Sequence, residues 1–171
     1  LHWGIAVLLA WQFMGMGLKL LLGKSPVVGF WVGTHASVGT LLLIFVLARI
    51  VWALGQRRHR PQHERGFLGA LARVGHLALY GLMFIVPTLA ILRMLGNDRP
   101  IRLFGVGLRD ALPEEISWMT EPANLFHGLL AWIFLMLIAG HVLMVLVHHF
   151  IWRDGTLARM AGRQVASRTR R

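Results

Sequence analysis

No cysteine occurs in the 171 residues. That excludes disulfides, thiolate metal centres and iron–sulfur clusters held by this chain, and says little about compartment. Negative charge is scarce: seven Asp and Glu stand against eighteen Lys and Arg, a formal net charge of +11. There is no glycine-rich phosphate loop after a strand pattern and no nucleophile elbow. Internal repeats and low-complexity segments are absent too. No small-residue cleavage site follows the first apolar run, 3–22, which is too long for a cleavable signal peptide. Its opening residues read as helix interior, so a short stretch is expected ahead of Leu1.

Apolar residues, in contrast, are abundant. They make up 56% of the chain, and they come in blocks. A bilayer core of about 30 Å needs about 20 apolar residues in helical form, and four blocks reach that length. The spans are read as 1–22, 31–54, 71–95 and 123–152, in one domain covering 1–171, with a basic tail at 153–171. Gly4, Gly15 and Gly17 would let the first span pack closely on a neighbour. Gly23, Ser25, Pro26 and Gly29 mark a turn. Pro87 lies inside the third span and should kink it. The loop 96–122 is expected to fold over one mouth of the bundle with a short interfacial helix. The fold class is all-α: a membrane protein built as a four-transmembrane-helix bundle.

The surplus of positive charge lies between and after these blocks. Arg57, Arg58, Arg60 and Arg65 crowd the loop 55–69, and the tail is rich in arginine. By the positive-inside rule both termini face the cytoplasm. These residues read as topology signals and contacts with anionic membrane lipid. They do not read as a nucleic-acid surface, because they form no patch on a hydrophilic domain.

Nine histidines are many for a membrane chain of this size. Ionisable groups inside a bilayer are costly and usually functional. His127 and His141 share the fourth span fourteen residues apart, nearly on one face and about 21 Å apart along the axis. His35 opens the second span at the depth of His127. His2 opens the first at the depth of His141. Two cross-helix pairs follow, His35 with His127 and His2 with His141. Each pair suits a haem iron, which takes two imidazoles from opposite faces. Gly4, Gly39, Gly128 and Gly140 stand beside these four histidines and would make room. Two such sites, as two haems b, would make an electron wire. Zinc fits poorly, because no carboxylate joins either pair.

The remaining candidates carry two readings each. His148 extends the stripe seven residues past His141. It is either an interfacial anchor beside Trp152 and Arg153 or a donor to a quinone carbonyl; His149 follows it. His76 either makes a hydrogen bond or lines the same quinone pocket. Arg49 and Arg73 either pair with a haem propionate or snorkel to the interface. The tryptophans form an aromatic belt, though Trp3 and Trp132 could pack on porphyrin. His59 and His63 are loop residues.

Several stretches resemble the bacterial cytochrome b561 family, across nearly the whole chain. They are Leu1-His2-Trp3, Thr34-His35-Ala36-Ser37-Val38-Gly39, Ala72-Arg73-Val74-Gly75-His76-Leu77-Ala78-Leu79-Tyr80, Leu125-Phe126-His127 and Gly140-His141. The most specific is His148-His149-Phe150-Ile151-Trp152-Arg153-Asp154-Gly155-Thr156-Leu157-Ala158-Arg159-Met160. The resemblance implies a multi-pass protein of the bacterial inner membrane. It implies haem ligation by His2 with His141 and by His35 with His127, and a ubiquinone site at His148. It also implies superoxide as donor at the outer side and ubiquinone as electron acceptor. Arg99, Arg102 and Arg109 could draw the anion in. The competing readings are a haem-bearing anchor that passes electrons from a separate dehydrogenase or hydrogenase partner to quinone, and a non-redox scaffold with structural histidines.

Overall fold

Four long helices account for most of the chain. The computed structural model describes residues 1–56 and 66–153. Helix α1 runs His2–Leu22, α2 Pro26–Gly55, α3 Phe67–Gly96 and α4 Ser117–Leu146. A π-helical turn, Val147–Trp152, continues α4. A small antiparallel hairpin, β1 Ile101–Leu103 with β2 Val106–Arg109, follows α3. Arg57, Arg58, His59, Arg60, His63 and Arg65, and the segment Asp154 to Met160, lie outside the described residues. Packing divides the chain into two units, Leu1–Phe134 and Leu135–Arg171. The first holds α1 to α3, the hairpin and the start of α4.

All four helices are long and apolar enough to cross a bilayer. Their outward surface says the same. Leu21 is 82% exposed and Leu77 73%, while only ten hydrophobic side chains are buried among the described residues. A surface this apolar has lipid, not water, as its solvent. The fold class is therefore an all-α membrane protein with four spanning helices, the hairpin being the one departure among the described residues.

The helix ends show how far the helices extend beyond the expected spans. Gly23 ends α1 at φ +59°, a left-handed conformation suited to glycine, and its N–H bonds the Lys19 carbonyl. Ser25 then caps α2, its Oγ accepting from the Val28 N–H, with Pro26 in the first turn. The turn is thus three residues long, and α2 begins at Pro26 rather than 31. Likewise α3 begins at Phe67 rather than 71. Helix α4 begins at Ser117 rather than 123, because Pro122 sits inside it. At the sixth residue of α4 this proline leaves the Trp118 carbonyl without its helical donor, a loss tolerated close to the helix start.

The loop after α3 holds no interfacial helix; it forms the hairpin. Phe104 (φ +52°) and Gly105 (φ +82°) make a two-residue turn with both φ positive, the geometry that matches strand twist. Ile101 and Leu103 are buried and β1 packs on α2. The Arg109 guanidinium donates to the carbonyls of Leu95, Asn97 and Arg99. It thereby satisfies acceptors that the end of α3 would otherwise leave open. Gly96 accepts from the Ile116 N–H at 2.8 Å, and a Cβ on Gly96 would lie 2.5 Å from the Cβ of Met119. Only glycine lets the start of α4 approach the end of α3 this closely.

Helices α1 and α2 are clasped by polar groups. Trp11 Nε1 donates to Thr34 Oγ1 at 3.1 Å, and Gln12 Nε2 donates to the His35 carbonyl at 3.0 Å. The Gln12 amide occupies the space over Gly39, where a Cβ would stand 2.8 Å from Nε2. Gly39→Ala should therefore push the Gln12 amide off the His35 carbonyl and lower thermal stability in detergent by about 1 kcal/mol, the net worth of that hydrogen bond. The double variant Gly39→Ala/Gln12→Ala should lose less than the sum of the two single losses in the same melting assay. Additive losses would show that the two residues do not share this space.

Candidate functional site

The structure brings together one of the two expected histidine pairs within a single packed unit. His35, in the third turn of α2, and His127, on α4, face each other with ring centroids 6.2 Å apart and planes at 82°. Both side chains are half-buried. A metal–imidazole nitrogen bond is about 2.0 Å. Two imidazoles on opposite sides of one ion then have centroids about 6.3 Å apart, counting the ring radius. The observed separation fits a shared ion. Among the described residues no three His, Cys, Asp or Glu side chains stand together as metal ligands. The donor set here is thus a pair of imidazoles, which suits an iron already held in the plane of a porphyrin.

The ring of His127 is also prepared for ligation. Its Nδ1 lies 3.0 Å from the Val86 carbonyl on α3. A carbonyl can only accept, so Nδ1 carries the proton and donates. The lone pair is then left on Nε2, the tautomer a metal ligand requires, and the ring is held in orientation. Val86 directly precedes Pro87. Because Pro87 has no N–H, the carbonyl of Met83 one turn earlier loses its helical donor. Helix α3 remains helical through this point to Gly96, with Thr88 Oγ1 donating to Phe84.

His35 is fixed through its backbone by Gln12. Two residues on, Ser37 Oγ accepts from the Phe104 N–H at 2.8 Å, so the hairpin turn is latched to the helix that carries His35. Neither Gln12 nor the Ser37 latch was anticipated. A polar Gln12 inside an apolar run was the available signal for the first. Nothing in the sequence announced the second.

The other expected histidines lie on α1, on α3 and in the second unit. His2, at the start of α1, packs edge-on against Trp3 at 5.6 Å. His141 lies further along α4, in the second unit. His148 sits in the π-helical turn with its ring 4.5 Å from Trp152, edge-on. Such turns within helices are often found at functional sites. His149 is exposed and packs on Phe150. His76 is exposed on α3. Trp3 and Trp132 are each 56% exposed.

The glycines beside the histidines divide by role. A Cβ on Gly4 would meet Phe45 at 3.3 Å and one on Gly39 would meet Gln12, so these two serve helix contact rather than open space. Gly128 meets nothing within 4 Å among the described residues. Gly15 packs on Trp31 as expected of a close-packing glycine, whereas Gly17 touches nothing. Arg109 uses its guanidinium on carbonyls, which leaves Arg99 and Arg102 as the exposed cations of that loop.

Removing the latch has a local readout. Ser37→Ala should strand the Phe104 N–H, at a net cost of about 1 kcal/mol. Hydrogen exchange at the hairpin should then speed up several-fold, with α2 unaffected. Unchanged exchange there would show that the hairpin is held by Ile101 and Leu103 alone.

Comparison with known proteins places the chain in a family. A family model described as prokaryotic cytochrome b561 matches residues 1–163. "Cytochrome b561 homolog 2" of Escherichia coli (strain K12) is 34% identical over 130 residues, covering 75% of this chain and 69% of that protein. "Probable superoxide oxidase CybB" of Yersinia pestis is 28% identical over 128 residues, covering 74% of this chain and 72% of its own. With four spanning helices and a histidine pair spaced for one iron, the chain belongs to the prokaryotic cytochrome b561 family: a haem-carrying membrane oxidoreductase that transfers electrons.

Proposed function

We propose that this chain carries electrons across the bacterial inner membrane from a donor on the outer side, superoxide, to ubiquinone near the cytoplasmic side. It would use two haems b, one held by His35 and His127 and the other by His2 and His141, in a single domain with both termini cytoplasmic. The observation that carries the reading is the His35–His127 pair, spaced for one ion and with His127 Nδ1 committed to Val86. Haem b, when bound, would supply reversible one-electron storage. The protein residues do the rest. His127 and His35 fix the outer site, and Val86 sets the tautomer. The exposed Arg99 and Arg102 raise the local concentration of a small anion. His148 would donate its ring proton to a quinone carbonyl oxygen and be reprotonated from the cytoplasm. Balance requires two superoxide anions, each giving one electron and leaving as dioxygen, for each quinone that takes two electrons and two protons.

The superoxide donor follows the activity for which the Yersinia pestis relative is named. A second reading is an anchor that receives electrons from a separate dehydrogenase or hydrogenase. One feature favours it: Phe104, Val106 and Leu108 on the hairpin are about 60% exposed, an apolar surface of the kind a partner covers.

Stopped-flow mixing of the purified protein with superoxide and a soluble ubiquinone tests the leading reading. Superoxide should reduce the haem and the quinone should reoxidise it. His148→Ala should slow reoxidation by quinone at least about tenfold, in the range set by general acid catalysis, with the haem spectrum unchanged. A wild type that superoxide does not reduce, but that a copurifying protein does, would establish the anchor instead.

A further inference from the structure

Inside the first unit, Arg49 is a cation with no carboxylate partner among the described residues. It lies on α2, six residues before the helix ends at Gly55. Its side chain does not turn to that end. Nε donates to Tyr80 Oη at 2.9 Å, and the guanidinium carbon lies 5.6 Å from the centre of the Tyr80 ring. Tyr80 stands thirteen residues into α3, about 20 Å along its axis from the start. The guanidinium is therefore drawn toward the interior of the span, which removes the snorkelling reading. Both residues are half-buried.

Charge in such a place requires compensation. Helices α1, α2 and α3 contain no Asp or Glu at all. Among the described residues no carboxylate stands beside the Arg49 guanidinium, which leaves room for an anion that the chain binds. The donors left over define its chemistry. With Nε on Tyr80, Arg49 presents its two terminal nitrogens as a planar fork, the geometry that suits two oxygens of one oxyanion. Tyr80 Oη accepts from Arg49 and so keeps its own proton to donate. Depth identifies the source. Arg49 follows His35 by fourteen residues on α2, the spacing by which His141 follows His127 on α4. It thus belongs one haem level inward of the His35–His127 site.

We propose that Arg49 and Tyr80 together form the receptor for a carboxylate of the inner cofactor, a haem propionate. The inference rests on the di-haem reading above, and it assigns these two residues the task of setting the potential of one haem. An uncompensated propionate favours the oxidised iron, so the guanidinium raises the potential of the inner haem.

Redox titration of the purified full chain tests this, with the inner haem identified in His127→Ala, which keeps that haem alone. Arg49→Gln should lower the midpoint potential of the inner haem, or empty that site alone, and leave the outer haem unmoved. Arg49→Lys, which keeps the charge, should stay close to wild type. Tyr80→Phe, which keeps the charge and cuts its tether, should give a smaller fall, and it decides the matter if Arg49→Gln does not fold. Unmoved potentials with both haems retained would overturn the proposal. If phosphorus per chain also fell in Arg49→Gln, the anion would be a lipid phosphate instead. A colourless wild type would sink the di-haem reading itself, and this inference with it.

Discussion

A bilayer offers no water to a polar group that lacks a partner, and most of this structure follows from that constraint. Apolar side chains need no explanation on a surface that faces lipid. Polar ones do. Trp11 reaches Thr34, Gln12 reaches the His35 carbonyl, Arg49 reaches Tyr80 and His127 reaches the Val86 carbonyl. Each of these bonds joins two helices. Polar contacts between spanning helices are worth about 1–2 kcal/mol each in model peptides. They also fix which faces meet, which apolar packing against lipid-like neighbours does poorly. The same bonds therefore set the helices and aim the histidines.

The end of the first unit that carries His35 shows how one constraint serves another. The carbonyls at the end of α3 need donors, and Arg109 supplies them from the hairpin. The hairpin turn needs an acceptor for the Phe104 N–H, and Ser37 supplies it from the turn after His35. Gly96 lets α4 start against the end of α3, and ten residues into α4 stands His127. The site is thus framed by α2, α3 and α4 through contacts that are structural in origin. The one buried oxygen without a partner among the described residues, Gln12 Oε1, lies beside this frame.

The sequence showed the spans because their apolar blocks are long, and it set His35 and His127 at one depth because helical depth follows from residue counting. Both readings depend on periodicity, which a single chain displays. The helix starts were less legible. Ser25-Pro26 signals a turn and a helix cap equally well, and Pro122 signals a loop unless the helix is known to start before it. The hairpin was hidden because its strands are three and four residues long and turn at Phe104-Gly105, without the Asn-Gly signal of such turns. The roles of Gln12, Val86 and Tyr80 depend on which helix faces they meet. No pattern within one helix encodes that. The small residues were over-read: Gly4 and Gly39 admit neighbouring side chains of the chain itself rather than a cofactor.

The central claim is that His35 and His127 hold one and the same haem. A pyridine haemochrome count per chain, made on the wild type and on His35→Ala and His127→Ala, tests it most directly. Two haems in the wild type and one in each variant, with the same component of the reduced spectrum lost from both, is the predicted result. An unchanged count in either variant, or different components lost from the two, would contradict the account.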